Sequence, residues 1–380
     1  MGAGQLAQMT CLAGQEMGYE MHVYASRADE PAALVADRVW LGELRDAAHV
    51  REFAQAVSAF AYDTEHLPIA SVRLAAEYAC ACPSPDLLQA TQNRIREREL
   101  LQSLRVPIPQ VAFIRSEAEA VAVAGEFTFP AVLKTAEQGY DGKGQIKITR
   151  AEGLLGAWCE LGGVPCVLEA WIDFRKEMSV IVARGMNGDI QVYPVIDNDH
   201  VDHILHKSSV PSVLPREVQE EAVRIARLIA DRTQLVGLLA VEMFYTQSGE
   251  VWVNELAPRP HNSGHHTQVS TTTSQFAQLV RALAGDKLGT VATRPAVMLN
   301  LLGDLFLGAN ASKDYLKPGF KWASDRAVNV FFYGKKEAHA GRKMGHIIAV
   351  GDTLPEAEEQ ACALYRQYGA ERMGDHGDSR

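Results

Sequence analysis

The 380-residue sequence has little of what marks a secreted, membrane-bound or nucleic-acid-coating protein. Its six cysteines (Cys11, Cys80, Cys82, Cys159, Cys166, Cys362) form no C-x-x-C pair and no zinc spacing, so they read as reduced thiols of a cytoplasmic chain rather than a disulfide framework. No apolar run reaches the roughly 18 residues of a membrane span, and no basic-then-apolar leader opens the chain. The start, "MGAGQL", misses the myristoylation pattern, because Leu6 stands where Ser or Thr is required. Lys and Arg number 37 against 47 Asp and Glu, a net charge of -10. That balance excludes sequence-independent nucleic-acid binding, which needs a cationic surplus. It leaves room for local basic pockets that take small anions. Internal repeats and low-complexity tails are missing as well.

What is present is an ordinary globular composition, 47% apolar and 22% charged, in a chain long enough for two or three packed subdomains. Residues 1–80 alternate short apolar strands, "MHVYA" and "SAFAYD", with helices such as "HVREFAQAV". This is α/β layering around a mainly parallel sheet. After the turn-rich "CACPSPD", a charged helix is expected over Thr91–Leu104. Short strands around one small helix are expected over 111–175. "PREVQEEAVRIARLIADRT" (Pro215–Thr233) has the clearest helical apolar period. "LLAVEMFYTQSGEVWVNEL" (Leu238–Leu256) reads as a β-hairpin. A helix is expected at Ser274–Ala284, then strands from Arg294 and a last helix at Pro355–Tyr368.

The hairpin carries the first chemical signal. With Thr246–Gly249 as a four-residue loop, Glu242 falls opposite Val253, and Glu255 shares the face of both. Two carboxylates that close repel unless a cation joins them. Magnesium suits, since it takes oxygen ligands and bridges to phosphates; a solvated hairpin face is the plain alternative. The following "NELAPRPHNSGHHT" sets Arg259, His261, Asn262 and Ser263 within five residues on a Pro-stiffened backbone, groups suited to a phosphate or carboxylate. "LKTAEQGYDGKGQ" ends an apolar strand at Lys134 and opens a glycine-rich loop with Tyr140, Asp141 and Lys143. It is neither a Walker A sequence nor a dinucleotide fingerprint. In "VLEAWIDFRKEMSV", Glu169 ends a strand and Glu177 follows eight residues on, a pair suited to an adenine amino group and ribose hydroxyls or to an exposed acidic turn. "YGKKEAHAGRKMGH" sets Lys335 and Arg342 about a turn, as a phosphate clamp or as a solvated basic hairpin.

The order of these motifs resembles the ATP-grasp superfamily. The stretches "APRPHNSGH", "QGYDGKGQ" and "YGKKEAHAGRKMGH", with the opening "GAGQLAQM", resemble the PurK family of carboxyaminoimidazole ribonucleotide synthetases over nearly the whole chain. The resemblance implies an α/β and α+β architecture. Its parts are a Rossmann-like domain over 1–93, an ATP-grasp domain over 94–294 with a lid at about 111–175, and a small β-rich C-terminal domain over 295–380. It implies a ligase that spends ATP on bicarbonate to form carboxyphosphate, then carboxylates the amine of aminoimidazole ribonucleotide (AIR), with Mg²⁺ and as a cytoplasmic homodimer.

Carried over, Arg94 and Lys134 match ATP-phosphate contacts. Gly139, Tyr140, Asp141, Gly142, Lys143, Gly144 and Gln145 match the phosphate loop. Glu169, Ala170, Trp171 and Ile172 match the adenine strand end, Glu177 the ribose acid and His200 a nucleotide-site histidine. Glu242 and Glu255 match the magnesium carboxylates, with Asn254 beside them. Tyr140, Asp141, Arg259, His261, Asn262, Ser263, Lys335 and Arg342 match positions around AIR and bicarbonate. Of these, Tyr140, Asp141, Arg259, His261 and Lys335, together with Lys143, stand as catalytic candidates. Gly4 and Gln5 would offer backbone N–H groups of the opening turn to an anion on the AIR side.

Departures are few: Ala7 replaces a common glycine, His266 an aromatic residue and His339 a basic one. Similar proteins have about six apolar residues before the opening turn, with Met1 in the place of the last. Either the stated start lies downstream of the true one, or the first sheet has a gap in its middle. A formate-dependent glycinamide ribonucleotide transformylase is the neighbouring alternative. A nicotinamide oxidoreductase, with Asp29 or Glu30 on the ribose, is the remote one. Asp141 is placed to accept hydrogen bonds, and a proton, from the AIR amine. An Asp141→Asn variant is expected to lose most AIR-dependent turnover, and full turnover in a steady-state assay would remove that role.

Overall fold

The computed structural model describes residues 1–137, 144–307, 319–322 and 327–373. The N-terminal part contains α1 (Gln5–Glu16), β1 (His22–Ala25), β2 (Arg38–Leu41), α2 (Ala47–Gln55), β3 (Ala59–Phe60), α3 (Ile69–Ala76), β4 (Cys80–Ala81) and α4 (Pro85–Thr91). Its strands form two separate parallel ribbons, β1–β2 and β3–β4. Met1 and Gly2 lie between them: the Gly2 N–H donates to Tyr24 O and the Asp63 N–H to Met1 O. The expected strand Ser58–Asp63 is regular only over Ala59–Phe60.

The opening turn is not free to hold an outside anion as expected. Asp63 already sits on it, its Oδ2 accepting the Gly4 N–H at 2.6 Å and its Oδ1 the Ala7 N–H at 2.9 Å. A carboxylate at a helix N-terminus satisfies orphan donors and the helix dipole together. A Cβ on Gly4 would come within 2.3 Å of Asp63 Oδ2, so only glycine admits this closeness.

The helix expected over Thr91–Leu104 begins later, as α5 (Arg94–Ser103), because the Asn93 side chain caps it by accepting from the N–H groups of Ile95 and Arg96. Next come β5 (Val111–Ile114), α6 (Glu117–Ala124), β6 (Ala131–Thr135), β7 (Gln145–Ile148), α7 (Leu154–Glu160) and β8 (Cys166–Ala170). They build an antiparallel sheet in the order β5-β8-β6-β7, which packs two helices rather than the one expected.

The remainder comprises β9 (Phe174–Arg184), β10 (Ile190–Val192), β11 (Ile196–Val201), β12 (Ile204–Val210), α8 (Arg216–Arg232), β13 (Gly237–Thr246), β14 (Val251–Ala257), α9 (Thr267–Ser270), α10 (Gln275–Ala284), β15 (Ala296–Leu302), β16 (Gly319–Trp322), β17 (Val328–Phe332), β18 (Lys343–Val350) and α11 (Leu354–Met373). One antiparallel sheet runs β14-β13-β9-β11-β12-β15-β18-β17-β16, with β10 on β9. The C-terminal strands are thus no separate layer. They join the central sheet where β12 pairs with β15 over Lys207–Val210 and Ala296–Leu299. On α8, Val218, Ala222, Ile225, Ala226 and Ile229 recur at helical spacing and pack onto β9 and β13, as the sequence period requires.

A short helical turn over Asn262–His266 leads into α9 and buries His265 and His266 beside His346 of β18. His346 bonds Tyr333 Oη at 2.9 Å and Gln268 Oε1 at 3.1 Å, His266 bonds Ser270 Oγ at 2.8 Å, and the His265 ring lies 4.8 Å from that of His346. Gly264 is obligatory between them and the sheet, since a Cβ there would stand 2.1 Å from Ile181 Cδ1. Burial keeps all three rings neutral. It pushes His266 and His346 down to about 3 and His265 well below its ordinary value, the last also repelled by neighbouring cations. The unfolded chain therefore binds protons that the folded chain refuses. Their contribution to stability is complete above pH 6.5 and is lost as pH falls toward 3, at up to ~1.4 kcal/mol per pH unit for each proton. Urea melts between pH 7 and 4 should show this decline, and His266→Phe should reduce its slope.

Candidate active site

A cavity of about 1380 Å³ opens where the N-terminal part, the four-stranded sheet and the long sheet meet. Its wall includes Gln5, Arg94, Lys134, Gln145, Glu169, Trp171, Ile172, Glu177, His200, Glu242, Asn254, Glu255, Arg259, His261 and Asn262. Residues as far apart in sequence as Gln5 and Asn262, all singled out by motif, thus share one surface. Six described candidates are not on that wall: Gly4, Gly144, Ala170, Ser263, Lys335 and Arg342. Gly139, Tyr140, Asp141, Gly142 and Lys143 lie outside the described residues, and Gly144 takes a positive φ of 69° at their border.

The two hairpin glutamates are closer partners than the simple loop count implies. Glu242 stands directly across from Glu255, not from Val253, because the turn register is one residue longer and Asn254 bulges out of β14 opposite the Glu242–Met243 step. Their charges are unequal. Burial opposes ionisation of Glu242, but His261 Nε2 at 2.7 Å outweighs it and holds the carboxyl below its usual range. The Glu242 charge first, and burial second, push the Glu255 carboxyl well above the usual range, with Arg94 Nη1 at 3.8 Å only partly opposing. One carboxylate and one retained proton at neutral pH are what a two-carboxylate cation site becomes without its cation. The donor set, two carboxylates with Asn254 beside them, fits a hard oxygen-seeking ion that draws its other ligands from phosphate and water.

His261 is fixed on its other side. Its Nδ1 accepts the Ser263 N–H at 3.3 Å and meets Ser263 Oγ at 2.8 Å, so the ring proton lies on Nε2, toward Glu242. Ser263 Oγ continues to Ser179 Oγ at 2.7 Å, which accepts from Asn198 Nδ2 at 3.0 Å. Ser263 therefore acts from behind the wall. Asn262 reaches the wall, yet its amide is locked in a reciprocal pair with Asn300 on β15, at 3.0 and 2.7 Å.

Elsewhere the carboxylates are matched to cations. Both oxygens of Glu169 are engaged, by Arg98 and by Lys134, which outweigh its burial and hold it down to about 2. Its carboxylate is thus not a spare acceptor for adenine; the apolar side of that corner is Trp171, Phe174 and Phe244, the last two stacked at 4.7 Å. Glu177 pairs with His200 and outweighs burial to raise that histidine. Arg259 is gripped by Glu65 with two contacts of 2.6 Å, which keeps it charged despite burial. Burial first and then Arg342 push Lys335 down to about 7 while Asp63 opposes; its Nζ donates to Lys343 O at 2.7 Å. Arg342 Nη1 donates to Glu337 O. Lys343, rather than either of them, reaches the wall.

Sequence reasoning missed Asp63, Glu65, Arg98 and Lys343. The polar "DTEH" run directly after the apolar β3 was a usable signal for the first two, since strand-end loops of α/β sheets carry sites. Nothing local marks Arg98.

Three family models tile the chain: a ribonucleotide synthetase preATP-grasp domain over residues 1–92, an ATP-grasp domain over 99–276, and a phosphoribosylaminoimidazole carboxylase C-terminal domain over 296–360. The chain is 38% identical over 348 residues to the N5-carboxyaminoimidazole ribonucleotide synthase of Bacillus subtilis, covering 91% of this chain and 89% of that one. Among solved structures, an ADP complex of an N5-carboxyaminoimidazole ribonucleotide synthetase superimposes with a TM-score of 0.87 at 36% identity, over 98% of this chain and 96% of that chain. The Thermus thermophilus synthetase superimposes with 0.86 at 30% identity, over 96% of each.

The paired glutamates set a pH test. Because the Glu255 proton is held more tightly in the folded than in the unfolded chain, it stabilises below the ordinary carboxyl range and that stability is lost as pH rises through the elevated folded value. In chelator-treated protein, thermal melting temperature should fall from pH 6 to pH 9, and Glu255→Gln should flatten that fall.

Proposed function

The chain belongs to the N5-carboxyaminoimidazole ribonucleotide synthase family of ATP-grasp ligases, and from that premise we propose how its residues divide the carboxylation of AIR. A bicarbonate oxygen attacks the γ-phosphorus of ATP and ADP leaves. The exocyclic amine of AIR then attacks the carboxyl carbon of the resulting carboxyphosphate, phosphate leaves, and the amine gives up a proton. The product is N5-carboxyaminoimidazole ribonucleotide, an intermediate of purine biosynthesis.

Arg94 and Lys134 meet the ATP phosphates together with the loop Gly139–Gln145. Trp171, Phe174 and Phe244 enclose the adenine beside the strand end Glu169–Ile172, and Glu177 holds the ribose with His200 behind it. Glu242 and Glu255 would hold Mg²⁺, which supplies charge neutralisation on the transferring phosphoryl oxygens. His261 orients Glu242. Arg259, kept ionised by Glu65, is a fixed cation for bicarbonate and the carboxyphosphate derived from it. Lys335, Arg342 and Lys343 form the basic corner for the AIR phosphate. Carboxyphosphate hydrolyses readily, so the sheet β5–β8 and its helices act as a cover that excludes water. A homodimer in the cytoplasm completes the reading, by family resemblance.

The single observation that carries this reading is the direct Glu242–Glu255 pairing on a cavity wall shared with Lys134, Arg259 and His261. Phosphate release is expected to require ATP, Mg²⁺, AIR and bicarbonate together, and to vanish in Glu255→Gln. Release driven instead by glycinamide ribonucleotide and formate would transfer the protein to the neighbouring ligase reaction.

A further inference from the structure

Beneath the cavity wall, α5, the four-stranded sheet and β14 converge on Arg98, which is fully buried and does not itself reach the cavity. Its Nε donates to Glu169 Oε1 at 2.8 Å, and its Nη2 lies 2.7 Å from the same oxygen. Its Nη1 donates to Glu97 Oε2 at 3.3 Å. Glu97, also buried, uses its other oxygen to accept the backbone N–H of Leu256 at 2.8 Å. Glu169 Oε2, left open by the guanidinium, takes Lys134 Nζ at 2.6 Å.

Burying such a chain of charges is poor economy if stability is its purpose, since well-packed apolar side chains of similar volume serve a core as well or better. The geometry indicates another use. Two nitrogens of one planar guanidinium crowd a single oxygen of Glu169, which turns the second oxygen toward Lys134. Lys134 has three donors and, among the described residues, gives one to Glu169, so two are open to an anion in the cavity whose wall it lines. In the other direction the chain ends on Leu256, the residue after Glu255. Arg98 thereby touches, through one carboxylate each, the strand of the phosphate-facing lysine and the strand of the cation-facing glutamate.

We propose that Arg98 is a positioning residue for ATP: through Glu169 it sets the place of Lys134, and through Glu97 that of the strand carrying Glu255. This rests on the reading that Lys134 meets the ATP phosphates. Lysine cannot replace it, because a point charge lacks the planar fork that donates to Glu169 through Nε while reaching Glu97 through Nη1.

The test compares Arg98→Lys, Lys134→Met and the double variant by KM for ATP, KM for AIR, kcat and melting temperature. Arg98→Lys is expected to raise KM for ATP about tenfold and to leave KM for AIR within about twofold, as a residue acting on one substrate alone must. In the Lys134→Met background the same substitution is expected to add less than about twofold, because the two residues act as a unit. Equal increments in both backgrounds, equal rises in both KM values, or a lowered melting temperature with KM for ATP unchanged would overturn the proposal. An unchanged KM for ATP in Lys134→Met alone refutes the phosphate reading of Lys134 and the proposal with it. Should Arg98→Lys not accumulate as folded protein, Glu97→Gln, which keeps an acceptor for Leu256, carries the same comparison.

Discussion

Two carboxylates held face to face on the wall of the cavity are the constraint around which the molecule is arranged. Glu242 and Glu255 are adjacent because β13 and β14 pair them directly, and the Asn254 bulge makes that pairing possible. Like charges at this separation are unfavourable, so the surroundings are set to hold them apart in charge though not in space. His261 favours the ionised form of one, and Arg94 stands 3.8 Å from the other. The serine and asparagine chain behind His261 then exists to keep its ring turned one way. A cation between the two carboxylates would relieve their repulsion directly.

The same logic of matched charges extends to the perimeter. Glu65 grips Arg259, Glu169 grips Lys134 and Arg98, and Glu177 grips His200. Each anion holds its partner in place by a direct ion pair. Preorganised cations need no rearrangement as a phosphoryl group passes to a nucleophile and negative charge develops on the leaving oxygen, and this is the usual source of catalytic advantage in phosphoryl transfer.

Much of this was legible in the sequence where the signal was local. The period of α8, the paired glutamates of the hairpin and the dense "APRPHNSGH" stretch all follow from spacing along a few residues; α8 went to the core, and the glutamates with Arg259, His261 and Asn262 landed on one wall. What escaped was nonlocal. Arg259 meets Glu65 across 194 residues and Arg98 meets Glu169 across 71, and no periodicity encodes such partners. The junction of β12 with β15 escaped for the same reason, since strand pairing is decided by the packed whole. The opening glycines misled in an instructive way. The Gly4 N–H, with that of Ala7, does bind an anion, but it is the chain's own Asp63.

The unbroken ladder from β14 to β16 has a mechanical meaning. A hydrogen-bonded sheet does not hinge without breaking its bonds. Lys343, the first residue of β18, therefore rides on the same plate as the glutamate pair, through β18, β15 and β12. The separation between the two ends of the reaction is set by that plate, like two fixtures bolted to one bench. The freedom to admit and enclose substrates belongs to the pieces that share no strand with it, the four-stranded sheet on one side and the paired ribbons of the N-terminal part on the other.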